Sequence, residues 1–163
     1  MEFLTQEDKD LYYMGLALRE AQKAFEEDEV PVGAILVQDN RVIAKGHNQV
    51  EMLQDATAHA EMLALTSAFS YFNSWRIPNL ELYCTLEPCT MCAGAIIASR
   101  VKRLVYAAPD IRLGACGSFV DLMSEKHPMH QVEIHGGVLE EESAFLLKTF
   151  FQQKRAKCPQ KNS

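Results

Sequence analysis

Apolar positions change period several times along the chain, and each change marks an element. Leu11, Met14, Leu18, Ala21 and Phe25 recur at intervals of 3, 4, 3 and 4, the stripe of an amphipathic helix. Thr5 stands where it can cap that helix, and Glu7 and Asp8 fall in the first turn, where they complement the dipole. After Val30-Pro31 the stretch GAILVQDNRVIAKG reads as two strands around a tight Asp39-Asn40 turn, a hairpin. A mostly apolar helix is expected from about Ala58 to Phe69, then a short strand, ELYCTL. Pro88 sits where the helix CTMCAGAIIASR would start, a favoured place for proline, and VKRLVYAA reads as the next strand. A glycine-rich turn from Gly114 to Gly117 should lead to a short helix, a strand QVEIHG and a long helix from about Glu140. Strands alternating with helices predict an α/β fold of three layers, α/β/α, with one mixed sheet covered on both faces. No repeat or linker interrupts the chain, and residues 1–163 read as one domain.

Composition sharpens this picture only in places. With 48% hydrophobic and 23% charged residues the chain lies in the ordinary globular range. The longest apolar run, Val30 to Val37, is far shorter than the ~18 residues of a membrane span. The acidic N-terminus lacks the basic and apolar regions of a signal peptide, so no membrane association and a cytoplasmic location are expected. The net charge of −6 by itself opposes a nucleic-acid partner. Its distribution does not, because Lys148, Lys154, Arg155, Lys157 and Lys161 all lie beyond the last acidic residue, Glu142. The basic end, within about residues 140–163, can serve an RNA backbone or simply solvate a helix face.

Five cysteines exclude a fully paired disulfide framework. Cys84, Cys116 and Cys158 are scattered and read as free thiols. Cys89 and Cys92 stand three apart at a helix start, so their sulfurs share one face, where the helix dipole favours thiolates. His59, at another helix start, offers a nitrogen. One nitrogen and two sulfurs suit zinc, and three protein ligands leave the open position of a catalytic centre. Two thiolates cancel the formal charge of zinc, so a bound water is acidified less than under three neutral histidines and a neighbouring base is useful. Glu61, two residues from His59, is the candidate. The two can share a site only if the helix start points into it end-on, since i and i+2 lie about 200° apart in a regular helix.

Singly, each element has an ordinary explanation: a capping histidine, a redox C-x-x-C pair, a glutamate complementing a dipole. Together they meet the H-x-E…P-C-x-x-C signature of zinc nucleobase deaminases. With EVPVGAILV, GHN, TAHAEMLAL, TLEPCTMCAGAIIASR, VYAAPD and GACGS, the chain resembles the cytidine-deaminase superfamily. Within it, the resemblance is closest to the bacterial tRNA-specific adenosine deaminases. It implies one zinc ion per chain on His59, Cys89 and Cys92, with Glu61 as the catalytic proton carrier. It also implies a homodimer, a tRNA anticodon stem-loop as partner, and hydrolytic conversion of the wobble adenosine to inosine. Asn48 falls where the family contacts the base, and Asp110 where it contacts the anticodon loop. Each can also be an ordinary loop residue, and Ile111, Arg112 and Leu113 depart from the family's more polar pattern. Two other readings compete. A deaminase of free guanine- or cytosine-type compounds would use the same zinc and glutamate. A zinc-stabilised RNA-binding module would leave Glu61 unexplained.

Overall fold

The computed structural model describes residues 2–124 and 127–158. Its centre is one five-stranded mixed sheet in the order β2-β1-β3-β4-β5. The strands are β1 (Gly33–Gln38), β2 (Arg41–His47), β3 (Leu80–Leu86), β4 (Arg103–Ala108) and β5 (Glu133–Gly136). β1 runs antiparallel to β2 and β3, while β3, β4 and β5 are parallel. Asp39 and Asn40 both take positive φ, 47° and 59°, as a two-residue hairpin turn requires. The five helices are α1 (Gln6–Glu26), α2 (Val50–Leu53), α3 (Ala60–Phe72), α4 (Thr90–Ala98) and α5 (Glu140–Lys157). Among the described residues no helix is long and apolar enough to cross a membrane.

Strand alternation supplies the two cores. Ala34, Leu36, Leu82, Cys84 and Leu104 point one way and pack with Ala64, Leu65 and Ala68 of α3 and Ile96 and Ile97 of α4. Ile35, Val37, Tyr83, Val105 and Ala107 point the other way and pack with Tyr13, Met14 and Ala17 of α1. α5 lies beside α1, with Phe150 edge-on to Phe25 at 6.0 Å between ring centres. The α/β/α layering read from the sequence is therefore the fold found.

The details differ from the sequence reading where close packing overrides propensity. Thr5 caps α1 in a full capping box with Asp8, but Leu11 is exposed and the buried face is Tyr13, Met14, Ala17, Ala21 and Ala24. Ala17 and Ala21 stand where α1 lies directly on the sheet: a Cβ on Gly33 would come within 2.1 Å of the Ala17 carbonyl oxygen and 2.4 Å of the Ala21 nitrogen. α3 begins and ends later than expected, at Ala60 and Phe72. Cys89 rather than Pro88 caps α4, so the proline precedes the helix instead of opening it. The short helix expected after Gly117 is absent among the described residues up to Gln131. A short helix the periodicity did not reveal, α2, occurs instead at Val50–Leu53.

Candidate metal centre and cavity

Two helix starts converge beyond the end of β3. Cys89 is the N-cap of α4 and Cys92 lies one turn inside it, so both sulfurs emerge on the same side. His59 is the N-cap of α3, with extended backbone at φ −75° and ψ 152°. It stands outside the helical spiral, so the angular objection to pairing it with Glu61 disappears. His59 Nδ1 lies 3.6 Å from Cys89 Sγ and 3.5 Å from Cys92 Sγ. Tetrahedral zinc at the usual Zn–N and Zn–S lengths would separate nitrogen from sulfur by about 3.5–3.6 Å. The three donors thus suit one zinc ion, and among the described residues they are the group close enough together to hold a metal.

The electrostatics of the bare cluster agree. The hydrogen bond from Cys92, followed by the His59 ring, brings the Cys89 thiol down to about 4. The same hydrogen bond and burial push Cys92 far up. Two adjacent sulfurs cannot both ionise without a cation between them, which is what a divalent metal supplies. Burial raises the Glu61 carboxyl above its usual range. A carboxyl held that way keeps its proton more readily than an exposed one, which suits a group that must both take and give a proton.

His59, Glu61 and Cys89 open into one cavity of about 1250 Å³. Asn48, at the end of β2, lines it and is itself buried, with its backbone N–H donated to the Val32 carbonyl at 3.0 Å. Asp110 lines the lip, and its Oδ1 accepts the N–H groups of Arg112 and Leu113, both at 3.2 Å, so the carboxylate also folds its own turn. Ile111 and Leu113 stand exposed beside it. α5 completes the wall with Leu147, Phe150, Phe151 and Lys154. Lys154 reaches Asp28 Oδ2 at 2.6 Å, so at least one basic residue of the C-terminal segment belongs to the cavity; Lys161 lies outside the described residues.

The sequence reading missed two buried glutamates in this wall. Glu29 accepts the N–H groups of Glu51 at 3.2 Å and Met52 at 2.6 Å, and so caps α2, for which Gln49 gives no side-chain cap. Glu87 lies buried on the turn between β3 and α4. The available signal was an acidic residue beside a proline or an apolar run, where a charge must find partners.

The model of the cytidine and deoxycytidylate deaminase zinc-binding region matches residues 7–108. A tRNA-specific adenosine deaminase of Bacillus subtilis is 44% identical over 156 residues, covering 94% of this chain and 97% of that protein. One from Agrobacterium fabrum is 46% identical over 144 residues, covering 88% and 95%. A solved structure from work on A-to-I editing by tRNA:A34 deaminases at the wobble position superposes with a TM-score of 0.80. It is 46% identical and covers 83% of this chain and 99% of that one. A guanine deaminase from Nitrosomonas europaea superposes at 0.76 with 26% identity, covering 92% and 86%.

Proposed function

The chain belongs to the cytidine and deoxycytidylate deaminase zinc-binding family, among the tRNA-specific adenosine deaminases, and from that premise we propose that it hydrolytically deaminates adenosine to inosine at the wobble position of a tRNA anticodon. The observation that carries the reading is the cavity shared by Glu61, His59 and Cys89, with the buried Cys92 completing the donor cluster behind it. Its volume of about 1250 Å³ exceeds the roughly 300–1,000 Å³ of small-molecule sites, which favours a base still attached to RNA. Identity of 44–46% to the tRNA enzymes against 26% to the guanine deaminase points the same way.

His59, Cys89 and Cys92 would hold the zinc. When bound, the ion supplies the positive charge that acidifies a water for attack on the carbon bearing the amino group. Glu61 is placed to accept a proton from the attacking water and deliver it to N1 of the adenine. It then takes the hydroxyl proton of the adduct as the C6 carbonyl forms, and gives it to the departing amino group. One water is consumed and one ammonia leaves, with Glu61 returned to its starting state. The burial that raises its carboxyl favours the protonated form between the two transfers. Asn48 presents an amide at the cavity wall that can orient the base, and Asp110 shapes the lip that meets the anticodon loop. A wobble base is already unpaired, so exposing it costs little.

Residues from Glu27 to Lys154 line the cavity, which supports treating the whole chain as one functional domain. A homodimer is also proposed, supported by the family resemblance and by exposed Tyr71 and Trp75 near the end of α3. The deciding experiment is incubation with an unmodified anticodon stem-loop carrying a wobble adenosine, assayed for inosine beside free adenosine, guanine and cytosine. Inosine in the stem-loop is the expected product; turnover confined to a free compound would refute the RNA reading.

A further inference from the structure

Glu87 takes no part in the chemistry above, yet it is 2% exposed and sits two residues before a proposed metal ligand. Its Oε1 accepts the Ser118 hydroxyl at 2.8 Å. Its Oε2 is buried beside the Tyr106 hydroxyl without a full hydrogen bond to it. Holding a carboxylate oxygen this way is costly, so the position must be compensated by what the rest of the side chain secures.

What it secures is visible in the surrounding packing. A Cβ on Gly114 would stand 1.3 Å from Glu87 Oε2 and 2.4 Å from its Cδ, so the carboxylate fills the space directly beneath that glycine. The Glu87 backbone N–H donates to the Ala108 carbonyl at 2.8 Å, just before the 109–118 loop. The Ala115 N–H donates to the Pro88 carbonyl at 2.8 Å, and Cys89 and Gly114 form an isolated bridge. The backbone therefore joins the loop to the Pro88-Cys89 turn, and the Glu87 side chain is wedged between them and tied to the loop's far end at Ser118. The loop carries Asp110, Ile111, Arg112 and Leu113 at the cavity lip, beyond residue 108, where the family match stops.

We propose that Glu87 is a positioning residue, which locks the 110–118 loop against the metal-ligand turn so that the lip is preformed for the RNA segment around the target adenosine. The inference rests on the RNA substrate proposed above. A preformed lip spares the ordering cost that a loose loop would incur on binding, so its loss weakens association rather than the chemical step.

The test is steady-state kinetics on the anticodon stem-loop with Glu87→Ala, Ser118→Ala and the double variant, beside metal content. Each single variant should raise KM roughly fivefold, the scale of one hydrogen bond, with kcat within about twofold of the parent. All three should keep one zinc per chain, and the double variant should be no worse than Glu87→Ala, because both changes break the same tie. Ser118 is exposed and can be replaced without threatening the fold, so it decides the matter if Glu87→Ala does not fold. An unchanged KM in Ser118→Ala, additive effects, or a fall confined to kcat overturns the lock. If the parent protein makes no inosine in the stem-loop, the substrate reading fails and takes this inference with it; if it does, an unchanged KM removes the lock alone.

Discussion

Arg103 meets Asp10 in a fork-on-fork pair, with Nη1 to Oδ1 at 2.6 Å and Nη2 to Oδ2 at 2.7 Å, joining β4 to α1 in a buried setting. Tyr83 donates its hydroxyl to the same Asp10 at 3.0 Å. Among the described residues, removing Arg103 would leave the Asp10 charge buried with only the neutral Gln6 and Tyr83 as partners. Removing Asp10 would leave Arg103 only Glu133 at 3.3 Å and Glu81 at 3.8 Å. Asp10→Ala or Arg103→Ala should therefore cost about 3–5 kcal/mol in urea unfolding at pH 7. The pair also sets a pH dependence. Burial alone would raise the Asp10 carboxyl, but the Arg103 guanidinium holds it below its ordinary value. A depressed carboxyl stabilises the fold above the unfolded value, about 3.9, and loses that contribution as pH falls below it. The parent protein should thus lose more stability than Asp10→Ala between about pH 5 and pH 2, and equal losses would remove Asp10 from acid unfolding.

Metal content follows from the three-donor count. The purified protein should carry about one zinc per chain, and His59→Ala, Cys89→Ala and Cys92→Ala should each lose most of it. Plasma mass spectrometry after dialysis measures this directly. Full occupancy in all three variants would show that the ligands lie elsewhere.

Glu61 should separate from its neighbours in the same measurement, since the proposed mechanism has it carry protons and not hold the metal. Glu61→Gln is expected to keep its zinc and its unfolding midpoint while losing at least ~100-fold in kcat on the stem-loop. Activity near that of the parent would take Glu61 out of the mechanism.

The C-terminal segment gives a prediction in salt dependence. Truncation after Gln153 removes Lys154, Arg155, Lys157 and Lys161. RNA affinity should fall, and the log–log salt slope should flatten by roughly 0.7–0.9 for each phosphate no longer neutralised. Lys154 is already paired with Asp28 and packed over the Phe150 ring at 5.6 Å. It must exchange one anion for another on binding, so Lys154→Ala alone should change affinity less than the truncation does. Turnover at saturating RNA should stay near the parent value in both. A folded truncation with unchanged affinity and slope would assign these residues to solvation only.

Local patterns were enough to settle several things. Thr5 announced a helix cap, Asp39-Asn40 a hairpin, and GAILVQ and ELYCTL two strands. These depend on residues a few positions apart, so the chemistry is written in consecutive letters. The donors brought together at His59, Cys89 and Cys92 were legible for the same reason: C-x-x-C and H-x-E each place their groups within one turn of a helix start.

Only tertiary packing decided the rest. Which face of α1 is buried depended on how near Gly33 lets it approach the sheet, and a period of 3.6 cannot report that distance. The sequence could say that His59 and Glu61 must enter a site end-on; the extended backbone at His59 showed how. Glu29 and Glu87 hold segments 22 and 31 residues away, at Glu51 and Ser118. No local spacing carries those contacts, because a buried carboxylate is stable only beside donors that the completed fold delivers.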